Sequence, residues 1–289
     1  MRHHPKAWNI FVYTARRSIL VLCVSLMQIF AAAPLRAATP SASQTYFFLV
    51  FNAPVAGKEA EYNKWYSEQH EPDVVSIPGF VSAQRFVYND VQLRAVALKK
   101  PKYLVIYKIV TPNLPSVIAE VKRRLKNGQT RVSNSLDPNS GQMYIYRAFR
   151  PEVQGAGGEP ADAKPGPVQT YYQVVFGDAT AGQDSQFNDW YDHDHAPNMV
   201  AAPGFVFAQR AIVNDVQMLP LNNPSRYLAL FRIDTSDLPA VLRYKSRGSA
   251  PPASFDRTRT FGYTYKAIGP LLSGDQIRAE RAASGTSAR

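Results

Sequence analysis

The chain has 289 residues, with 33 Lys or Arg against 22 Asp or Glu, a formal net charge of +11 and one cysteine. Apart from Lys122-Arg123-Arg124 the basic residues are scattered, which excludes the concentrated basic face that nucleic-acid binding needs. The cysteine, Cys23, lies in an apolar leader, so the rest of the chain has no thiol for a disulfide, a nucleophile or a cysteine-ligated metal.

Taken in chain order, the leader comes first. Arg2, Lys6, Arg16 and Arg17 precede the apolar run Ser18 to Ala33, and Leu35-Arg36-Ala37 supplies small residues. This order predicts a secretory signal over residues 1–37, cleaved after Ala37, and a periplasmic or secreted protein. The apolar run is about 16 residues, short of the roughly 20 that span a bilayer, so no stable membrane anchor is expected after cleavage. Cleavage removes five basic residues and no acid, leaving 28 − 22 = +6.

The remainder is a repeat. Residues 60–92 align without a gap on 185–217, with 17 of 33 positions identical. Asn63-Lys-Trp-Tyr-Ser-Glu-Gln-His70-Glu-Pro72 returns as Asn188-Asp-Trp-Tyr-Asp-His-Asp-His195-Ala-Pro197. Pro78-Gly-Phe-Val-Ser-Ala-Gln-Arg85 returns as Pro203-Gly-Phe-Val-Phe-Ala-Gln-Arg210, and Asn89-Asp-Val-Gln92 as Asn214-Asp-Val-Gln217. Such self-similarity predicts two units of one architecture, 44–151 and 169–272. Between them, 152–168 is rich in Gly, Pro and Ala and reads as a flexible linker, and 273–289 reads as a loose, disordered tail.

Within the first unit, Tyr46 to Phe51 has the aromatic and β-branched content of a strand. Lys58 to Gln69 places Tyr62, Trp65, Tyr66 and Gln69 at helical spacing, and Pro72 is expected to help end that helix. Phe80 to Tyr88 and Tyr103 to Val110 are the next strands, with Pro78-Gly79 turning the chain before them. Asn113 and Asp237 stand where helix N-caps belong, and Met143 to Phe149 closes the unit. The order βαββαβ is ferredoxin-like and leaves one sheet face bare. Two copies on one tether predict an α+β protein in which the sheets cover each other as an intramolecular barrel, a monomeric pseudo-dimer.

The string Trp-Tyr-x3-His-x-Pro followed by Pro-Gly-Phe-x4-Arg occurs at Trp65–Pro72 with Pro78–Arg85 and at Trp190–Pro197 with Pro203–Arg210. It resembles the EthD-like branch of the dimeric α/β-barrel superfamily, here as a tandem fusion of two domains. The resemblance implies the barrel fold. Members of the superfamily include cyclases, lactone isomerases, cofactor-free monooxygenases and haem enzymes, and the resemblance admits haem on His70 or His195. No metal is assigned, because His193-x-His195 points to opposite helix sides, and no cofactor is assigned, because nothing else in the sequence argues for haem.

Three histidines follow residue 37, all in this motif. His70 and His195 border the inward helix stripe and are the candidate general acid/base pair, with Tyr66 and Tyr191 as helpers. Each histidine could equally be a helix-end group bonded to a backbone carbonyl. His193 should face solvent. Arg85 and Arg210 share the helix-facing parity of their strands and are candidate anchors for an anionic group of a ligand. The alternative is a salt bridge to a local acid such as Asp90 or Asp215. Trp65 and Trp190 are core residues or ligand platforms. The copies differ at Phe86/Ala211 and Tyr88/Val213, so the second pocket should be roomier if those side chains point into it.

These residues predict an exported enzyme doing proton-transfer chemistry, of isomerase, cyclase or lyase type, on a small hydrophobic or aromatic compound. A non-catalytic protein holding such a ligand in the same pocket is the alternative.

Overall fold

The computed structural model describes residues 42–93, 101–221, 223–244 and 248–286. The predicted signal segment lies outside them. Strands β1 (Gln44–Asn52), β2 (Phe80–Tyr88), β3 (Tyr103–Thr111) and β4 (Gln142–Ala148) form one half, in the order β4-β1-β3-β2. Two residues, Val153–Gln154, make β5. In the second half β6 (Gln169–Gly177), β7 (Phe205–Val213), β8 (Tyr227–Thr235) and β9 (Phe261–Ser273) run in the order β9-β6-β8-β7. β2 pairs with β9 and β4 with β7, all antiparallel, so eight strands close into a barrel.

Closure explains why the strands are apolar on both faces. In β1, Phe47, Leu49 and Phe51 point into the barrel, where they meet Phe176, Leu228 and Tyr263 of the second half. Tyr46, Phe48 and Val50 point outward to the helices. A strand buried on both sides cannot show alternation. Phe86 and Ala211 also lie in the barrel interior, so that difference between the copies does not shape the pockets under the helices.

Each outer face is covered by two helical layers. In the first half α1 (Glu59–Trp65), a π-helical turn at Tyr66–His70 and α2 (Glu71–Val75) run on without a break. Pro72 therefore does not end the helix. In the wide turn the Glu71 amide reaches back to the Tyr66 carbonyl, so the ladder is already shifted where the proline withholds its N–H. α3 (Leu114–Lys126) buries Leu114, Val117, Ile118 and Val121, and the Asn113 side chain caps it by accepting from the Ser116 amide. The second half repeats this with α4 (Asp184–Trp190), a π-helical turn at Tyr191–His195 and α5 (Ala196–Val200). Its last helix, α6 (Leu238–Arg243), is capped by Asp237 and has only 6 residues against 13 in α3. Gly79 and Gly204 turn the chain into β2 and β7 at φ 97 and 91, where other residues are strained.

Two expectations are corrected. The segment 152–168 is no free linker: β5 pairs with β7, and the Glu159 carboxylate accepts from the Ser236 amide at 2.6 Å. One of its glycines serves close approach, since a Cβ on Gly155 would sit 2.3 Å from the Phe205 carbonyl oxygen. The tail is no loose end either. β9 runs to Ser273 and α7 follows over Gly274–Thr286. Arg278 of α7 donates to the carbonyls of Val75, Ile77 and Phe80 at 3.2–3.3 Å, and Arg281 pairs with Asp73. Ala and Arg are strong helix formers, and here they find a docking surface.

Candidate functional site

In each half a cavity opens between the first helical layer and the sheet. The second is about 300 Å³ and is lined by Val175, Trp190, Tyr191, His195, Met199, Phe231 and Phe255, with Gln173 and Ser249 as polar points. The first is about 200 Å³ and holds Tyr66 and His70 among Phe48, Val50, Val74, Tyr107 and Met143. The second is the roomier, for a reason other than the one expected. Strand register sets Gly262 opposite Val175 where the first half has Met143 opposite Val50.

The π-helical turn aims the motif. His195 stacks on Trp190 with ring centroids 4.7 Å apart and stands edge-on to Tyr191 at 4.8 Å. His70 repeats this against Trp65 at 4.7 Å and Tyr66 at 4.9 Å. His193 is exposed and bonds Asp189, as the helical spacing predicts. The Tyr191 hydroxyl is buried and has no hydrogen-bond partner among the described residues. Burial pushes its phenol well above the ordinary value, so it stays protonated and can only donate its proton in a hydrogen bond. Trp190 donates to the Ser249 hydroxyl at 3.1 Å, and Asp194 accepts from the Ser249 amide, which ties the cavity wall to the helix.

In the first half His70 Nδ1 lies 3.2 Å from the Arg131 carbonyl oxygen. That carbonyl can only accept, so Nδ1 carries the proton and Nε2 keeps its lone pair. Burial lowers the His70 pKa to about 4, which leaves a neutral imidazole at pH 7. Beside it Glu71 is 4 % exposed, its Oε1 has no partner, and burial pushes its carboxyl up to about 8. Ala196 stands at the matching place in the second half.

Glu71 and His70 give opposite pH dependences. Between the unfolded value near 4.5 and the folded value of about 8, folded Glu71 holds a proton that the unfolded chain has released, so stability falls as pH rises. Unfolded His70 binds the extra proton between about 4 and 6.5, so its contribution to stability rises with pH there. From pH 6.5 to 8 Glu71 acts alone, and the protein should lose about 2 kcal/mol. Glu71→Gln should abolish that loss in urea unfolding followed across this range. A variant that loses as much as the wild type would show that Glu71 is ionised in the fold.

Neither arginine anchors a ligand in the histidine cavities, and only Arg210 makes the alternative salt bridge to a local acid, Asp192. Arg210 is 3 % exposed, pairs with Asp192, donates to the Asn188 side-chain oxygen at 2.8 Å, and lies 4.3 Å from the Tyr191 ring centroid. Arg85 donates to the Asn63 side chain at 2.8 Å and to the Ser67 hydroxyl, and lies 4.7 Å from the Tyr66 ring. Neither pairs with Asp90 or Asp215, because the guanidinium turns under the helix rather than along the strand. Neither lines the cavity that holds its histidine, since the tyrosine ring stands between. The histidine, tyrosine and tryptophan of each copy come together; the arginine supports the tyrosine from behind. Among the described residues no three His, Cys, Asp or Glu side chains group as a metal site.

One element was missed. The Gln92 carboxamide bonds both the amide and the carbonyl of Thr264 at 2.8 and 2.9 Å, and Gln217 does the same to Ile145 at 2.8 Å. Each glutamine thus fills a strand position on the other half. The next residues, Leu93 and Met218, line the cavity of the half to which they cross. The repeated Asn-Asp-Val-Gln was the signal, but sequence does not show which half it serves.

No protein-family model matches the chain, and no curated protein matches it in sequence. Among solved structures, a candidate monooxygenase from Fusobacterium nucleatum subsp. nucleatum is similar at a TM-score of 0.50 and 9% identity, over 80% of this chain and 95% of its own. The fold is that of the dimeric α/β-barrel proteins. An anthrone oxidase-like protein has a TM-score of 0.49 and 13% identity, over 80% of this chain and 93% of its own. A candidate monooxygenase from Lactobacillus acidophilus NCFM has a TM-score of 0.44 and 8% identity, over 80% and 97%. At such identities the likeness to dimeric α/β-barrel proteins is one of architecture, and the chemistry rests on this chain's own residues.

Proposed function

We propose that the cavity of the second half is the active site of an exported enzyme that moves a proton on a small hydrophobic or aromatic molecule. The observation that carries this is the Tyr191 phenol, buried in an apolar-walled cavity with its hydrogen bond unspent, edge-on to the His195 imidazole. In this reading His195 takes a proton from an activated carbon or hydroxyl of the ligand. Tyr191 donates a hydrogen bond to the oxygen on which negative charge then develops, and apolar walls strengthen that bond. Returning the proton to another atom gives isomerisation or cyclisation; loss of a leaving group gives a lyase.

His70 and Tyr66 are the corresponding pair in the smaller cavity, with His70 a neutral base. Trp190 and Trp65 are platforms that orient the imidazoles. Arg210 and Arg85 are assigned to the tyrosines, not to the ligand in the cavity. We also assign the two halves to ferredoxin-like units of the EthD-like branch, fused in tandem and exported by the segment 1–37, so that the mature protein is a periplasmic pseudo-dimer. No cofactor enters the scheme.

The test is to purify the full-length protein from its own host and extract what it holds. Mass spectrometry should find a small apolar compound bearing a carbonyl or phenolic oxygen, at up to one equivalent per chain. A compound with no such oxygen would leave Tyr191 nothing to bind and remove this mechanism.

A further inference from the structure

Arg85 and Arg210 occupy matching places, but their surroundings differ in a way that points to a second site. Register fixes the correspondence. Arg85 faces Ile268 across β2 and β9, and the Phe149 amide bonds the Arg210 carbonyl where β4 meets β7. Gln84 donates to the Gly269 carbonyl at 3.1 Å, as Gln209 does to the Arg150 carbonyl at 2.8 Å. Ile268 therefore matches Phe149, Gly269 matches Arg150, and Ser67 matches Asp192.

In the second half these places are filled. Asp192 pairs with Arg210 and also with Arg150 at 2.5 Å, and Phe149 lies 4.9 Å from the Arg210 guanidinium. In the first half all three side chains are cut down. The carboxylate becomes a hydroxyl, the second guanidinium is gone, and the phenyl ring becomes an isoleucine. A recess of about 340 Å³ opens there, lined by Asn63, Ser67, Arg85, Val87, Tyr103, Ile268 and Gly269.

Arg85 is 2 % exposed, its Nε has no hydrogen-bond partner, and among the described residues no acidic group lies within ion-pair distance of it. Glu59, which accepts from the hydroxyl of the lining residue Tyr103, is held in an ion pair with Lys102. A buried guanidinium without a counter-ion is costly, and the second half shows what relieves that cost: a carboxylate against Nη1. Arginine's fork suits that group better than any other side chain does.

We propose that the recess at Arg85 binds a small carboxylate with an apolar body, its carboxylate standing where the Asp192 side chain stands in the other half. Asn63 and Ser67 add polar contacts, and Val87 and Ile268 take the apolar part. None of the lining residues belongs to the histidine cavities, so this site is separate from the proposed active site and independent of its chemistry.

The test uses the full chain with benzoate as probe and benzamide as its neutral isostere. Thermal unfolding should shift upward with millimolar benzoate and not with benzamide. Ser67→Asp places a carboxylate on Arg85 from within, as in the second half. It should raise the melting temperature without ligand and weaken benzoate binding by about ten-fold or more in calorimetry, a loss of about 1.4 kcal/mol. Ser67→Ala, which leaves the recess open, should keep most of the response, and so should His195→Ala. Equal responses to benzoate and benzamide would overturn the proposal. So would a benzoate response that survives Ser67→Asp, or one that disappears in His195→Ala and places the probe in the histidine cavity.

Discussion

Residues 42–152 expressed without the rest of the chain should be recovered as a homodimer or an aggregate, and not as a soluble monomer. The first half alone would present Phe47, Leu49, Phe51, Phe86, Leu104, Ile106 and Tyr146 to water, all of which the barrel interior now covers. Full burial of side chains of this size is worth about 1.5–3 kcal/mol each, so the exposed face forgoes on the order of 10 kcal/mol, as much as a whole domain's stability. It would also leave β2 and β4 as open edges, since β9 and β7 are their partners in the barrel. A second copy can relieve both faults by offering its own β4 and β2. In the intact chain the tether supplies the same partner at high effective concentration. Sedimentation equilibrium separates the outcomes, and a soluble monomer would mean that the two sheets do not depend on each other.

The barrel was legible because it rests on patterns the chain repeats. The gapless alignment of 60–92 on 185–217 gives two units, and strands such as Gln44–Asn52, apolar at nearly every position, demand cover on both faces. The histidine, tyrosine and tryptophan were also legible, since helical spacing puts them on one stripe. The arginines were not. Strand parity correctly turns Arg85 and Arg210 toward the helices, but a side chain that long chooses among several acceptors, and it takes Asn63 and Asn188 rather than the next turn's aspartate. The segment 152–168 and the tail misled for a related reason. Glycine in a linker and glycine under a carbonyl oxygen are the same letter, and only packing tells flexibility from close approach. The crossing of Gln92 and Gln217 was hidden more deeply, because a carboxamide standing in for a strand residue obeys no periodicity.

His195→Ala should lower turnover of the compound extracted from the protein by about 10²–10⁴, the usual worth of a positioned proton carrier, while the barrel stays folded. The fold should survive because His195 is only half-buried, and the neighbouring Trp190, Tyr191 and Phe231 pack with Phe187, Phe255 and Phe205 independently of it. Binding should change little, since most of the roughly 300 Å³ cavity wall is apolar and stays in place. Tyr191→Phe should act differently. It removes a donor that the protein itself leaves unbonded, so the fold loses nothing, but the developing oxyanion loses a hydrogen bond; kcat should fall about 10²–10³ with KM nearly constant. His70→Ala probes the smaller cavity by the same measure. The three variants together separate the two roles the cavity could have. A catalyst loses rate and keeps affinity in His195→Ala, whereas a protein that only holds its ligand has no turnover to lose, and its affinity should fall in Tyr191→Phe by no more than one hydrogen bond, about 0.5–1.5 kcal/mol.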